Sequence, residues 1–169
     1  MNRYLKPNQL KRYVLFWEFT PEECSKKTKQ QAWYKEMVDQ NRKLGHAAIL
    51  RVKGKDTELI HMTTQHRQTL SDLGNRRLPT LAVELTEDYL ERETLPITSR
   101  FTPQNHLRQL RTGKDDSVAV DNEGIPLVFT CSSYIAWCLG IPDYNTYNSD
   151  QLFTLLEKTN KVVSASSLF

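Results

Sequence analysis

Cys131, His46 and His61 are the residues of this 169-residue chain whose types and order suit covalent chemistry. Cys131 opens the run Cys-Ser-Ser-Tyr-Ile-Ala-Trp-Cys-Leu, a predicted helix over 131–139 that Gly140 and Pro142 stop. A thiol at a helix N-terminus meets the positive end of the dipole and unsatisfied N–H groups, so its pKa is expected to be lowered. The same N–H groups can stabilise an oxyanion after attack on a carbonyl. Cys138 lies two turns deeper on the same face and reads as a small core hydrophobe. Cys24 lies in the first turn of another predicted helix but has no histidine near it in sequence.

A nucleophilic thiol needs a base. His46 follows Gly45 and opens a predicted strand, and His61 lies on the return strand of the same hairpin. If the turn centres on Gly54-Lys55, the two histidines fall near one end of the ladder. One imidazole can then take the thiol proton while the other orients it. His66 and His106 sit in polar stretches and read as exposed bystanders.

The elements that must position these residues follow from periodicity and punctuation. Residues 12–19 are aromatic and β-branched and read as a strand. Thr20-Pro21-Glu22-Glu23 has the form of a capping box with proline at the first helical position, which predicts one helix running from there to about Leu44 and stopping at Gly45. Residues 46–52 and 57–63 form a predicted hairpin around Lys53-Gly54-Lys55-Asp56. Residues 80–85 read as another strand, and Thr86-Glu87-Asp88 as the cap of a short helix ending before Pro96. Thr102-Pro103 opens a helix over 103–112 that Gly113 closes, and 114–124 is expected to be an exposed loop. Ser149-Asp150 caps a last helix, with a frayed tail after Asn160. The sum is one α+β domain over 1–169: a small antiparallel sheet with packed helices.

Composition excludes several classes. Basic residues number 23 and acidic residues 20, a net charge of +3, less than a dedicated nucleic-acid binder usually carries. Nucleic acid is therefore not an expected partner. No apolar run approaches the ~20 residues of a membrane helix, and residues 1–8 lack the apolar stretch of a signal peptide. That predicts no integral membrane association and a cytoplasmic location, or export by a leaderless or phage-type route. The three cysteines have no metal-ligand spacing, so free thiols in a reducing compartment are expected, with no metal and no cofactor.

The order of these pieces resembles the circularly permuted, NlpC-like branch of the papain fold, which includes lecithin–retinol acyltransferase-like enzymes. Gly45-His46-Ala47-Ala48-Ile49 is similar to the family's first histidine motif, and Leu59-Ile60-His61 to its second polar position. Thr130-Cys131-Ser132-Ser133-Tyr134-Ile135-Ala136 is similar to its nucleophile motif. Leu139-Gly140-Ile141-Pro142 followed by Ser149-Asp150-Gln151-Leu152 looks like its exit into a capped final helix.

The resemblance implies Cys131 as nucleophile, His46 as base, His61 as the orienting third residue, and the Cys131 N–H in an oxyanion hole. Ser132, Tyr13 and Tyr134 are the residues that would line the oxyanion or substrate side. It also implies hydrolysis or acyl transfer on a peptide-like amide or an ester through a Cys131 acyl-enzyme. The chain departs from the family in Ser132-Ser133, where acidic or Ser-Glu pairs are common, and in the long segment over 20–45, an inserted helix that would act as a lid or partner-binding flap. The alternative is a catalytically silent papain-like binding module that engages a protein or nucleic-acid partner.

Overall fold

A computed structural model describes residues 9–62, 67–68, 78–92, 99–117 and 119–168. Strand β1 (Leu10–Glu18) is buried from Arg12 to Trp17, on both faces, which is why its sequence is a continuous apolar run rather than an alternation. Strands β2 (Leu44–Lys53) and β3 (Asp56–Ile60) are joined by the two-residue loop Gly54-Lys55, with Lys53 paired to Asp56. Gly54 has φ +60°, the left-handed conformation such a tight hairpin asks of its first loop residue. With β4 (Arg67–Gln68), β5 (Leu81–Glu84) and β6 (Lys161–Val163) they form one sheet of order β4-β3-β2-β1-β5-β6, antiparallel throughout.

The helices are α1 (Lys26–Lys29), α2 (Ala32–Asp39), α3 (Pro103–Thr112), α4 (Cys131–Cys138) and α5 (Ser149–Glu157). One sheet face, including Val14, Phe16, Ala47 and Ile49, packs with α4 and α5. The other carries Tyr13, Leu15, Trp17, Ala48 and Leu50, joined by Ala165 from the C-terminal 3₁₀ turn (Ala165–Leu168). This is an α+β chain, as the periodicity predicts. No helix among the described residues is long and apolar enough to cross a membrane.

Five expectations are corrected. The single helix predicted from Thr20 to Leu44 is three short pieces: a 3₁₀ turn (Pro21–Glu23), α1 and α2. Thr20 does not cap; its hydroxyl donates to Glu23 Oε2 at 2.7 Å, and the chain extends at Cys24. Ser25 restarts a helix by accepting from the Thr28 N–H, and Gln31 extends the chain again. Lysines 26, 27 and 29 repel one another in so short a helix, and only Met37 of α2 is buried, so little packing holds a longer one together.

Thr86 does not cap a helix either. Asn160 Oδ1 accepts the N–H groups of both Thr86 and Glu87, and the chain continues without a helix to Arg92; residues 93–95 of that prediction lie outside the described residues. The tail after Asn160 is tied into the sheet as β6. The loop over 114–124 is exposed in part only, because Asp115 and Ser117 are buried. The cap of α5 is Asn148, one residue earlier than Ser149, exchanging hydrogen bonds with Gln151.

Segment 89–92 straps the C-terminal end of α4. Its amides at Leu90 and Arg92 donate to the Leu139 and Cys138 carbonyls. Arg12 in β1 holds the strap from the other side, donating to the carbonyls of Leu90 (2.6 Å) and Tyr89 (2.9 Å). The helix ends at Gly140 with φ +72°, where a Cβ would lie 2.6 Å from Leu90 Cδ1. Gly140→Ala is therefore expected to lose about 2 kcal/mol, from left-handed strain and displacement of Leu90. Urea denaturation measures it, and an unchanged midpoint would contradict the close approach.

Candidate active site

The site is built where β2 begins. Trp17 pairs with His46 but Glu18 pairs with Leu44, so the register slips at Gly45, a β-bulge. Bulges bend a strand and re-aim the side chains beside them. Space limits the position to a small residue: a Cβ on Gly45 would sit 3.3 Å from Phe19 Cβ. The bulge delivers the His46 ring against Trp17 and His61, with centroids 5.3 and 5.1 Å away. His61, the residue after β3, is 4% exposed.

His46 Nε2 and His61 Nδ1 lie 2.8 Å apart and share one proton. Both rings cannot be cationic at that distance. Burial first, and repulsion from His61 second, lower His46 from its ordinary 6.5 to about 3, so it is neutral at physiological pH. In the tautomer where His46 donates Nε2–H to His61, its Nδ1 keeps a lone pair and can accept a proton.

Cys131 comes from the other side of the bulge as the first residue of α4. Thr130 and Ser133 form a capping box there, with the Thr130 N–H also 3.3 Å from Asp115 Oδ2. Asp115 is itself anchored by the hydroxyl and N–H of Ser117. The helix start is thus fixed by a buried carboxyl that the sequence places in a polar loop. Cys131 Sγ rests 4.0 Å from the Gly45 carbonyl and 3.8 Å from Ser149 Oγ, and the Ala47 N–H also faces it.

Burial pushes the thiol pKa up; the Ser149 hydroxyl and the N–H groups of Ala47, Ser132 and Cys131 pull against this without reversing it. The expected lowering by the helix N-terminus is overturned, because desolvation outweighs the dipole. No hydrogen bond joins Cys131 Sγ to His46 or His61.

Two spaces flank the bulge, and Gly45 and Met37 line both. The inner one has room for about one water, about 10 Å³, between Cys131, Ser132, Ser149, Arg42, His106 and Gln109. The outer one is an open cleft of about 410 Å³ beside His46, walled by Trp17, Phe19 and Trp33, with Glu18, Glu23 and Cys24 also lining it.

The other candidates fall as follows. Ser132 lines the inner space, but its hydroxyl donates to the Tyr147 carbonyl at 2.7 Å. Tyr134 is fully buried in the core beside Phe129 and Trp137, away from both spaces. Tyr13 packs with Leu15 and Trp17 on the face away from α4 and lines neither space; burial and the Glu84 charge raise its pKa. Cys24, Cys131 and Cys138 are free thiols, and Cys138 is in the core. His66 lies outside the described residues. Among the described residues no group of three or more His, Cys, Asp or Glu could hold a metal ion.

His106 is corrected from bystander to a wall of the inner space. Its ring lies 5.2 Å from Trp33 and 5.7 Å from Phe101, and its buried Nδ1 makes no hydrogen bond. Burial first, and the Arg42 charge second, lower it to about 4. The signal in the sequence is faint: His106 stands three and four residues before Gln109 and Leu110, which α3 buries.

Set against protein-family models, curated proteins and solved structures, the chain matches none.

Two expected outcomes follow from these charges. Iodoacetamide, which has no carbonyl under attack and so gains nothing from oxyanion donors, should alkylate Cys131 at pH 7 more slowly than an unfolded cysteine peptide. Peptide mapping reads this; faster labelling would contradict the raised thiol. The lowered His46 and His106 bind protons in the unfolded chain, below pH 6.5, before they do in the folded one. Stability is therefore present above about pH 6.5 and lost as pH falls toward 4 and then 3. His106→Gln should spare the variant about 3 kcal/mol of the loss between pH 7 and pH 4, seen in paired urea titrations. Equal losses in the two proteins would refute the buried neutral His106.

Proposed function

We propose that the chain is a thiol-dependent hydrolase or acyltransferase of the permuted papain-like, NlpC-like type, with Cys131 as nucleophile, His46 as base and His61 as the residue that orients it. One observation carries this reading. The Cys131 sulfur lies against the Gly45 carbonyl and the Ala47 N–H, the two backbone neighbours of His46, while His46 Nε2 is held by His61 at 2.8 Å. The ring nitrogen left for the thiol proton is Nδ1, which has to reach the sulfur around the bulge, because the His46 ring packs on Trp17 on the sheet face away from α4.

With a neutral thiol and a neutral imidazole, no resting thiolate–imidazolium pair forms, and the proton moves as attack begins. The Cys131 S–H proton passes to His46 Nδ1, sulfur bonds to the substrate carbonyl carbon, and the C=O electron pair moves onto oxygen. The N–H groups of Cys131 and Ser132 at the start of α4 are the donors for that oxyanion. Collapse re-forms the carbonyl and expels an amine or alcohol, which takes the proton back from the imidazolium. Water or another acceptor then cleaves the thioester by the reverse sequence.

A second reading, a silent papain-like fold that binds a protein partner, is favoured by the lack of a thiol–imidazole hydrogen bond and by pKa shifts that keep both groups neutral.

Labelling with an activated acyl ester, followed by intact mass and peptide mapping, separates the two. The hydrolase reading expects one acyl group on Cys131, none on Cys131→Ala, and acylation of His46→Asn slowed by roughly 10²–10⁴-fold. The rate should rise with pH into the alkaline range, following the raised thiol. Indiscriminate labelling of Cys24 and Cys131, or undiminished acylation of His46→Asn, would favour the silent module.

A further inference from the structure

We infer that the acyl acceptor is a water held in the inner space and that His106 is the base that activates it, which makes the chain a hydrolase rather than a transferase; this rests on the Cys131 acyl-enzyme proposed above. The inner space lies against the reacting thiol. Cys131 and Ser132, whose N–H groups are the proposed oxyanion donors, both line it, so a carbonyl oxygen held at the start of α4 sets its acyl carbon at the mouth of this space. With about 10 Å³ it takes one water and no alcohol or amine.

Two nitrogens specify that water. His106 Nδ1 and Arg42 Nε are buried, belong to residues that line the space, and have no hydrogen-bond partner among the described residues. Buried polar atoms are seldom left so. One water satisfies both, accepting from the Arg42 Nε–H and donating to His106 Nδ1, the acceptor when the ring carries its proton on Nε2. Trp33 and Phe101, 5.2 and 5.7 Å away, set the His106 ring, and the 3.0 Å pair with Asp150 holds Arg42. Burial and the Arg42 charge keep this imidazole neutral at pH 7, so its lone pair is present. His46 stands elsewhere, its ring on Trp17 beside the open cleft, and does not line the inner space.

The two histidines then divide the cycle. In the first half His46 takes the thiol proton and returns it to the leaving amine or alcohol. In the second half the water oxygen bonds to the thioester carbon, its proton passes to His106 Nδ1, and the C=O electron pair moves onto oxygen. Collapse re-forms the carbonyl and breaks the C–S bond with its electron pair on sulfur, which takes the proton from the His106 imidazolium. A carboxylic acid leaves and the neutral thiol is restored.

The two halves can be timed separately. The full chain is treated with p-nitrophenyl acetate; nitrophenolate release reads acylation, and intact mass with peptide mapping reads loss of the acetyl group from Cys131. Glutamine at position 106 is similar in size and can bond a water but cannot take its proton. His106→Gln is therefore expected to slow loss of the acetyl group about 100-fold while slowing acylation far less, so that acetyl-Cys131 accumulates. His46→Asn, slow in acylation, should accumulate none. Ethanol added to the wild type should leave acetate as the product, with no ethyl acetate, because the space admits only water.

Equal slowing of both steps in His106→Gln, unchanged loss of its acetyl group, or ethyl acetate as a main product would each overturn the assignment. The two proposals fail differently. A wild-type chain that never carries acetyl on Cys131 loses the thiol chemistry and this step with it. An acetyl-Cys131 whose hydrolysis ignores His106 loses this step alone and leaves the thiol chemistry standing.

Discussion

A helix with no solvent face has few places to go, and α4 is such a helix. Every residue from Ser132 to Cys138 is buried, so the helix must lie inside, against the sheet and α5. Its two ends then need polar partners that a buried helix cannot take from water. At the C-terminal end the strap over 89–92 accepts that role, fixed to β1 by Arg12 and stacked by Arg92, whose guanidinium lies 4.7 Å over Trp137. At the N-terminal end Thr130, Ser133 and the buried Asp115 do the same work. Cys131 is the one residue of α4 that is only half-buried, and its position follows from these two anchors together.

The same burial decides the electrostatics. A helix N-terminus contributes about 0.3–1 kcal/mol to an anion beside it, less than one pKa unit, while full desolvation can shift a group by several units. The thiol therefore rises, His46 falls to about 3, and His106 to about 4. The region holds its protons on sulfur and leaves its imidazoles neutral. Under the proposed thiol chemistry, a bound substrate that excludes further water would strengthen the oxyanion donors rather than a resting ion pair, because there is none to strengthen.

Local signals with a single physical meaning were legible in the sequence. The Lys-Gly-Lys-Asp loop specifies a two-residue hairpin, Thr102-Pro103 and Gly113 bracket α3, and the apolar run after Thr130 can only be a buried helix. Capping signals proved ambiguous where two polar groups compete for one atom. Thr20 bonds the Glu23 side chain instead of a backbone amide, and Asn160, far along the chain, takes the amides that Thr86 was expected to cap. Asp115 and His106 were illegible because what buries them comes from distant segments: Ser117 and Thr130 for one, Trp33 and Phe101 for the other. The histidine pair was legible because hairpin register carries it, and the bulge at Gly45 was not, because a register slip leaves no mark in composition.

The segment between β1 and β2 gains its meaning from where it rests. Its α2 packs on α3 rather than on the sheet, through Trp33 on His106 and Gln40 donating to the Leu110 carbonyl at 2.6 Å. One side of Trp33 therefore meets His106, a wall of the inner space, while Trp33 itself lines the open cleft. Met37 lines both, and Arg42, at the end of the segment, pairs with Asp150 of α5 at 3.0 Å beside the inner space. Trp33 is thus shared between the cleft and His106, and Met37 between the cleft and the space beside Cys131. The segment belongs to the walls of both spaces, the enclosed one beside Cys131 and the open one beside His46.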